Sequence, residues 1–173
     1  MPRRHRLCAL VLLCLAGCTG VPEGVEPVRD FELSRYLGTW YEIARLDHSF
    51  ERGLSRVTAT YSRHEDGGVK VVNRGYDAES KRWKEAVGRA YFVDEPDVGR
   101  LKVSFFGPFY GAYNVIALDE DYRWSLVVGP TRDYLWILAR SPELPDDTVA
   151  DLVERARVLE FPTEELIFVS HEL

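Results

Sequence analysis

The chain has 173 residues, with 28 acidic against 22 basic side chains and a formal net charge of −6. So acidic a surface repels phosphate backbones, and no basic stripe interleaved with aromatics runs along the sequence, which argues against nucleic acid as a partner. The length suits one domain able to bury a real core.

Arg3, Arg4 and Arg6 precede an apolar run over 7–15, which leads into Leu15-Ala16-Gly17-Cys18. A basic start, a short apolar core and small residues before a cleavage point make a secretory signal. The run falls short of the roughly 20 apolar residues of a lasting membrane span. Residues 1–17 are therefore expected to be removed. Leu-Ala-Gly-Cys resembles the bacterial lipobox, in which the cysteine thiol receives diacylglycerol, the chain is cut before it and the new amino terminus is acylated. The resemblance implies a lipid anchor on Cys18, stable because two or more acyl chains hold where one holds only reversibly. Thr19 in place of an aspartate implies, by the same likeness, the outer membrane, with the domain on its periplasmic side.

Cleavage before Cys18 leaves 156 residues with 19 basic and 28 acidic side chains, a net charge of −9. Cys8 and Cys14 leave with the signal, so no disulfide is expected even in an oxidising compartment. Residues 19–30 carry Gly20, Pro22, Gly24 and Pro27 without apolar periodicity. They read as a tether, 18–30 with the lipidated cysteine, able to reach roughly 40 Å. The barrel domain is expected over 31–173.

That domain reads as short strands divided by turns, an all-β pattern. Residues 56–62 alternate Val57, Ala59 and Tyr61 with Thr58, Thr60 and Ser62, the period of a strand with one buried face. Glu65-Asp66-Gly67-Gly68 supplies the positive φ of a hairpin turn. Further strands are expected at 39–46, 69–77, 84–93, 101–106, 110–118, 122–128 and 135–140, which makes eight at barrel spacing. One helix interrupts them. Pro145, Asp146 and Asp147 suit a first turn, and Val149, Leu152, Val153, Ala156 and Leu159 form one apolar stripe to lie on the barrel's outside. Residues 165–170 read as a short final strand.

Three motifs in register give this order a family likeness. Gly38-Thr39-Trp40 opens the first strand, Asp121-Tyr122 forms a turn before the seventh, and Arg140 ends the eighth. With the runs GTWYEIARLDHSFERG, KVSFFGPFYGAYNVIALD and GPTRDYLWILAR, the chain resembles the lipocalin family, chiefly its bacterial lipoprotein branch and more distantly its apolipoprotein branch. The resemblance implies an eight-stranded antiparallel up-and-down barrel with a cup for phospholipid, lysophospholipid or fatty acid. Family barrels often carry disulfides, and here this chain departs. Trp40 and Arg140 are expected to close the barrel base, an indole face covered by a guanidinium. Counting back by twos from Arg140 points Leu138 and Trp136 inward. The resemblance adds Tyr61, Asn73, Phe105 and Tyr113 as pocket neighbours, with Gly88 and Ala90, like Gly75, leaving room by being small.

Catalytic readings find no support in the residues. His48, His64 and His171 share no metal-ligand spacing, Gly53-Leu54-Ser55-Arg56-Val57 lacks the second glycine of a nucleophile elbow, and the remaining cysteine is acylated. Glu42, Arg45, Asp47 and His48 are expected as surface charges, with alternation placing Arg45 and Asp47 opposite Glu42 and His48. The expectation is a lipid-binding, lipid-anchored barrel that is not an enzyme and needs no metal or cofactor. Monomer and homodimer stay open, as does an alternative in which a filled barrel docks envelope partners through its outer surface.

Overall fold

A computed structural model describes residues 19–172, so residues 1–17 and Cys18, the expected lipidation site, lie outside the described residues. Eight strands follow in order: β1 (Gly38–Arg45), β2 (Leu54–Arg63), β3 (Val69–Asp77), β4 (Arg82–Phe92), β5 (Arg100–Phe106), β6 (Phe109–Leu118), β7 (Trp124–Val128) and β8 (Leu135–Ala139). Each is antiparallel to the next, and β1 pairs with both β2 and β8, so the sheet closes on itself. Closure removes the exposed edges that an open sheet would offer to other chains. The expected strands match these within a few residues. Tyr122, expected to open β7, instead holds φ 59° in the turn before it.

Local chemistry explains the turns. Gly67 takes φ +87°, and the Gly68 amide donates to Asp66 Oδ1 at 2.9 Å, fixing the β2–β3 hairpin. Asp119 holds the β6–β7 turn by accepting from the backbone amides of Asp121 and Arg123 and from the Arg123 side chain. After β8 comes the helix α2 (Asp146–Val158), and the short β9 (Ile167–Phe168) then pairs with β1 outside the barrel.

The molecule has two apolar cores. One lies inside the barrel, around Trp40, Tyr61, Val71, Ala90, Leu101 and Leu138. The other lies between the barrel wall and α2, where Leu152 and Ala156 pack on Ala44, Leu126, Leu135 and Ile137. β7 and β8 are therefore covered on both faces, and from Ser125 to Val128 every side chain is buried. This is why their sequences run apolar instead of alternating.

Residues 19–30 correct the expectation of a loose spacer. Val25 is buried in the outer core, and Val28 exchanges backbone hydrogen bonds with Val115 and Gly99. The carbonyls of Thr19, Gly20 and Glu23 accept from Arg100, Asn114 and Arg132. The chain was misread because a strap laid over a finished wall borrows its order from that wall and shows no period of its own.

A four-residue helix, α1 (Leu33–Tyr36), was not anticipated; it carries Tyr36 into the barrel base. There Trp40 is fully buried and donates Nε1 to the Tyr36 carbonyl at 2.8 Å. The Arg140 guanidinium lies 4.0 Å from the centre of the Trp40 ring and donates to the carbonyls of Arg35, Leu37, Thr39 and Tyr122. Truncating such an indole leaves a cavity that the closed base cannot collapse. Trp40→Ala should therefore cost about 3–5 kcal/mol of stability by denaturant unfolding, and an unchanged midpoint would show that the indole is not the plug.

Candidate functional site

Base and mouth follow from strand direction. β1 runs away from the Trp40–Arg140 base, so the loops at 46–53, 78–81, 107–108 and 129–134 surround the opposite end. A cavity of about 110 Å³ runs between them, from Phe31, Leu33 and Tyr36 near the base to Phe50 and Glu51 at the mouth. Its walls are chiefly aliphatic and aromatic, among them Val57, Val69, Val71, Leu101 and Val103. The rim is apolar as well, with Phe106 and Phe109 exposed by 81% and 79%.

Of the residues expected in the cup, Tyr61, Asn73, Ala90, Phe105, Tyr113, Trp136 and Leu138 line this cavity. Parity from Arg140 was a sound guide to Trp136 and Leu138 because β8 carries no bulge between them. Gly88 is a correction. A Cβ there would lie 2.7 Å from the Ser104 carbonyl and 2.8 Å from the Phe105 ring, so its smallness makes room for Phe105 and not for a ligand. Gly75 is likewise filled, by Leu54 and Val57.

The charges on β1 are the second correction. Glu42, Arg45, His48 and Glu51 are all buried, and Arg45 Nη1 donates to Glu42 Oε1 at 2.6 Å. For Arg45, a register shift against β8 between Glu42 and Ala44 is the cause. The bulge breaks the period of two and turns Arg45 to the same side as Glu42. Arg45 Nη2 also donates to the Glu51 carbonyl at 2.9 Å, and Trp136 Nε1 donates to Glu51 Oε2 at 3.0 Å. Parity from Trp40 already points Glu42 inward, which is the signal that the surface reading passed over. Glu51, in a loop, offers no such signal.

Two carboxyls thus face one guanidinium inside an apolar tube. Burial, then the neighbouring Glu51, pushes Glu42 up to about 8, and burial raises Glu51 too. Burial and the Arg45 charge hold the His48 imidazole down, to about 4. Deeper in the cup, three phenols form a hydroxyl chain. Tyr36 and Tyr113 are 2.7 Å apart, Tyr113 and Tyr61 2.8 Å, and Tyr36 and Ser125 Oγ 3.1 Å. Among the described residues, no group of three or more His, Cys, Asp or Glu side chains could hold a metal ion.

A closed barrel, plugged below and open above on an apolar cavity, defines a protein that encloses a small hydrophobic molecule. The comparisons with known proteins agree: the chain belongs to the lipocalin family, whose lipocalin-like domain model matches residues 31–171. It is 53% identical to the outer membrane lipoprotein Blc of Vibrio cholerae over 166 residues, covering 94% of this chain and 97% of that one. The Blc protein of Escherichia coli K12 is 54% identical over 86% of this chain and 84% of its own, and apolipoprotein D of Bos taurus is 35% identical over 83% and 84%. Insecticyanin of the tobacco hornworm Manduca sexta shares the fold, with a TM-score of 0.68 at 22% identity over 88% of this chain and 87% of its own. Lipocalins bind small hydrophobic ligands as carriers.

The carboxyl pair has a consequence for stability. An unfolded carboxyl ionises near its ordinary value of 4.5, whereas folded Glu42 keeps its proton to about 8. Folding therefore takes up a proton between those values, and stability falls as pH rises through that window. His48 acts in the opposite sense below its ordinary value of 6.5, so the span from there to about 8 isolates the pair. Urea midpoints should fall across that span, and Glu42→Gln should flatten the slope. A wild type with no slope there would show that Glu42 ionises near its ordinary value.

Proposed function

We propose that this chain is a carrier that holds an acyl-chain lipid in its cup at the outer membrane, tethered by acyl chains on Cys18 and performing no chemistry on its cargo. The observation that carries this reading is the continuous apolar tube from the mouth to the Tyr36 floor. The cargo would be a phospholipid, a lysophospholipid or a fatty acid. Relatives named as outer membrane lipoproteins over most of the chain support the location. The open tube favours this reading over one in which a filled barrel acts through its outer surface.

The mechanism is burial. Each methylene moved from water into the tube contributes about 0.8 kcal/mol. Ten of them offer roughly 8 kcal/mol before association and ordering costs are subtracted, so micromolar affinity is expected. The empty tube is narrow beside the roughly 300–1,000 Å³ of drug-sized sites, which suits a chain better than a fused-ring ligand. Phe50, exposed at the mouth and lining the cavity, is the side chain placed to yield as a chain enters.

Titration with a long-chain fatty acid or lysophospholipid should change tryptophan emission saturably, and Trp136→Phe should remove most of that change. The other indoles lie elsewhere: Trp40 in the base, Trp124 against the helix-side core, and Trp83 on the outer face beside Arg56 and Arg74. A saturable change that survives Trp136→Phe intact would place the ligand outside the cup. For the anchor, radiolabelled palmitate should enter the wild type and not Cys18→Ala; equal labelling would defeat it.

A further inference from the structure

The floor of the cup holds hydroxyl groups in numbers that do not balance. Tyr61, Tyr113, Tyr36 and Ser125 are joined in a chain by three hydrogen bonds. Each hydroxyl carries one proton and each bond uses one. Four protons serve three bonds, so one donor has no acceptor among the described residues. Ser125 is fully buried and does not line the cavity, whereas Tyr61 does. An unmatched donor at Ser125 would be stranded in packed protein, at a cost avoided when Ser125 donates to Tyr36. The unmatched O–H then belongs to one of the three phenols, all of which line the cavity. Burial holds all three phenols above their ordinary range, Tyr36 at about 12, so they remain protonated donors at neutral pH.

A second imbalance lies one inward position away. Asn73 pairs across the sheet with Ala59, two residues from Tyr61 on the same face of β2. Its Oδ1 is buried without a hydrogen-bond partner among the described residues, and Asn73 lines the same cavity. The tube thus has an unmatched phenolic donor at its floor and, further up, an amide oxygen buried in its wall without a partner. A methyl-ended chain that fills the tube shuts water away from the phenolic donor without satisfying it. A hydroxyl oxygen on the chain end can accept from it.

From this we infer that the preferred cargo is an acyl chain bearing a hydroxyl on the end that enters the cup, where the unmatched phenol at the floor donates to it. The inference rests on the acyl-chain reading of the cup and adds the chemistry at the buried end. It also reverses the ordinary ranking, since a featureless apolar tube would reject a hydroxyl for its lost hydration.

The test compares hexadecanoate with 16-hydroxyhexadecanoate, read by Trp136 emission on the purified protein; the two share a carboxylate, so head-group effects cancel. Wild type should bind the hydroxy acid about three- to tenfold more tightly, the size of one net hydrogen bond. Tyr61→Phe, which passes the unmatched O–H on to the phenols below it, should narrow the difference between the two acids, and the wild-type comparison decides the inference whether or not that variant folds. A wild type that binds hexadecanoate as tightly or more tightly overturns the inference and leaves the acyl-chain cup standing. If neither acid alters the emission, the acyl-chain reading fails and the inference with it.

Discussion

One cation holds the barrel closed. Arg140 follows directly on β8, and its guanidinium covers the Trp40 ring while donating to carbonyls on α1, on β1 and in the β6–β7 turn. A lysine could not do this, because the planar fork both stacks on the indole and reaches several carbonyls at once. Two of those carbonyls, of Arg35 and Leu37, belong to the last turn of α1 and its cap, whose orphan acceptors attract positive charge. The same contact that plugs the base therefore also secures the helix that brings Tyr36 beneath the cup. Without it the face of the Trp40 ring and the carbonyls at the end of α1 would lose their cover at the base.

Around that plug the wall is stabilised unevenly. The side formed by β7, β8 and part of β1 is sandwiched between the barrel interior and α2, and the strap at 19–30 adds Val25 to the same outer core. The opposite side has no such cover: β4 leaves Trp83 and Val87 exposed. Local opening is easier where few apolar contacts must break. The rigid side carries Trp136 and Leu138 and the lighter side carries Ala90, while Tyr61 and Asn73 lie on the strands between them. A chain entering the tube would thus meet one fixed wall and one that can yield.

Strand number, order and the base plug were legible because they rest on local rules: period two, turn glycines, a helical stripe and motifs on the first and last barrel strands that meet at the base. Inward positions were legible wherever the period ran unbroken, as from Arg140 to Trp136. The readings that failed did so where geometry departs from period. The bulge after Glu42 turned Arg45 inward, and nothing in the residue types Glu-Ile-Ala marks a bulge. Gly88 failed for another reason, since a gap left by a missing side chain can be filled by a neighbour, here Phe105, that no count along one strand can foresee. Glu51 and the strap, both outside regular elements, took their positions from partners distant in sequence.

The two kinds of polar group inside the cup differ in what they tolerate. The Glu42–Arg45–Glu51 set balances its charge internally only by keeping a proton on one carboxyl, so a ligand anion beside it would find the one guanidinium already neutralised and would be disfavoured. The phenol chain below is neutral and lacks an acceptor, so it welcomes an oxygen without requiring charge. The carboxyl pair reaches the mouth at Glu51, and the phenols stand at the floor. The acyl-chain cargo proposed above would lie tail-down, with a carboxylate or phosphate out in water beyond the pair, its methylenes against the aliphatic walls and its terminus at the hydroxyls. The reverse orientation would bury the anionic head past two carboxyls, in a medium where unpaired charge costs most. For such a cargo, charge placement in the wall, more than the shape of the tube, would set the direction of entry.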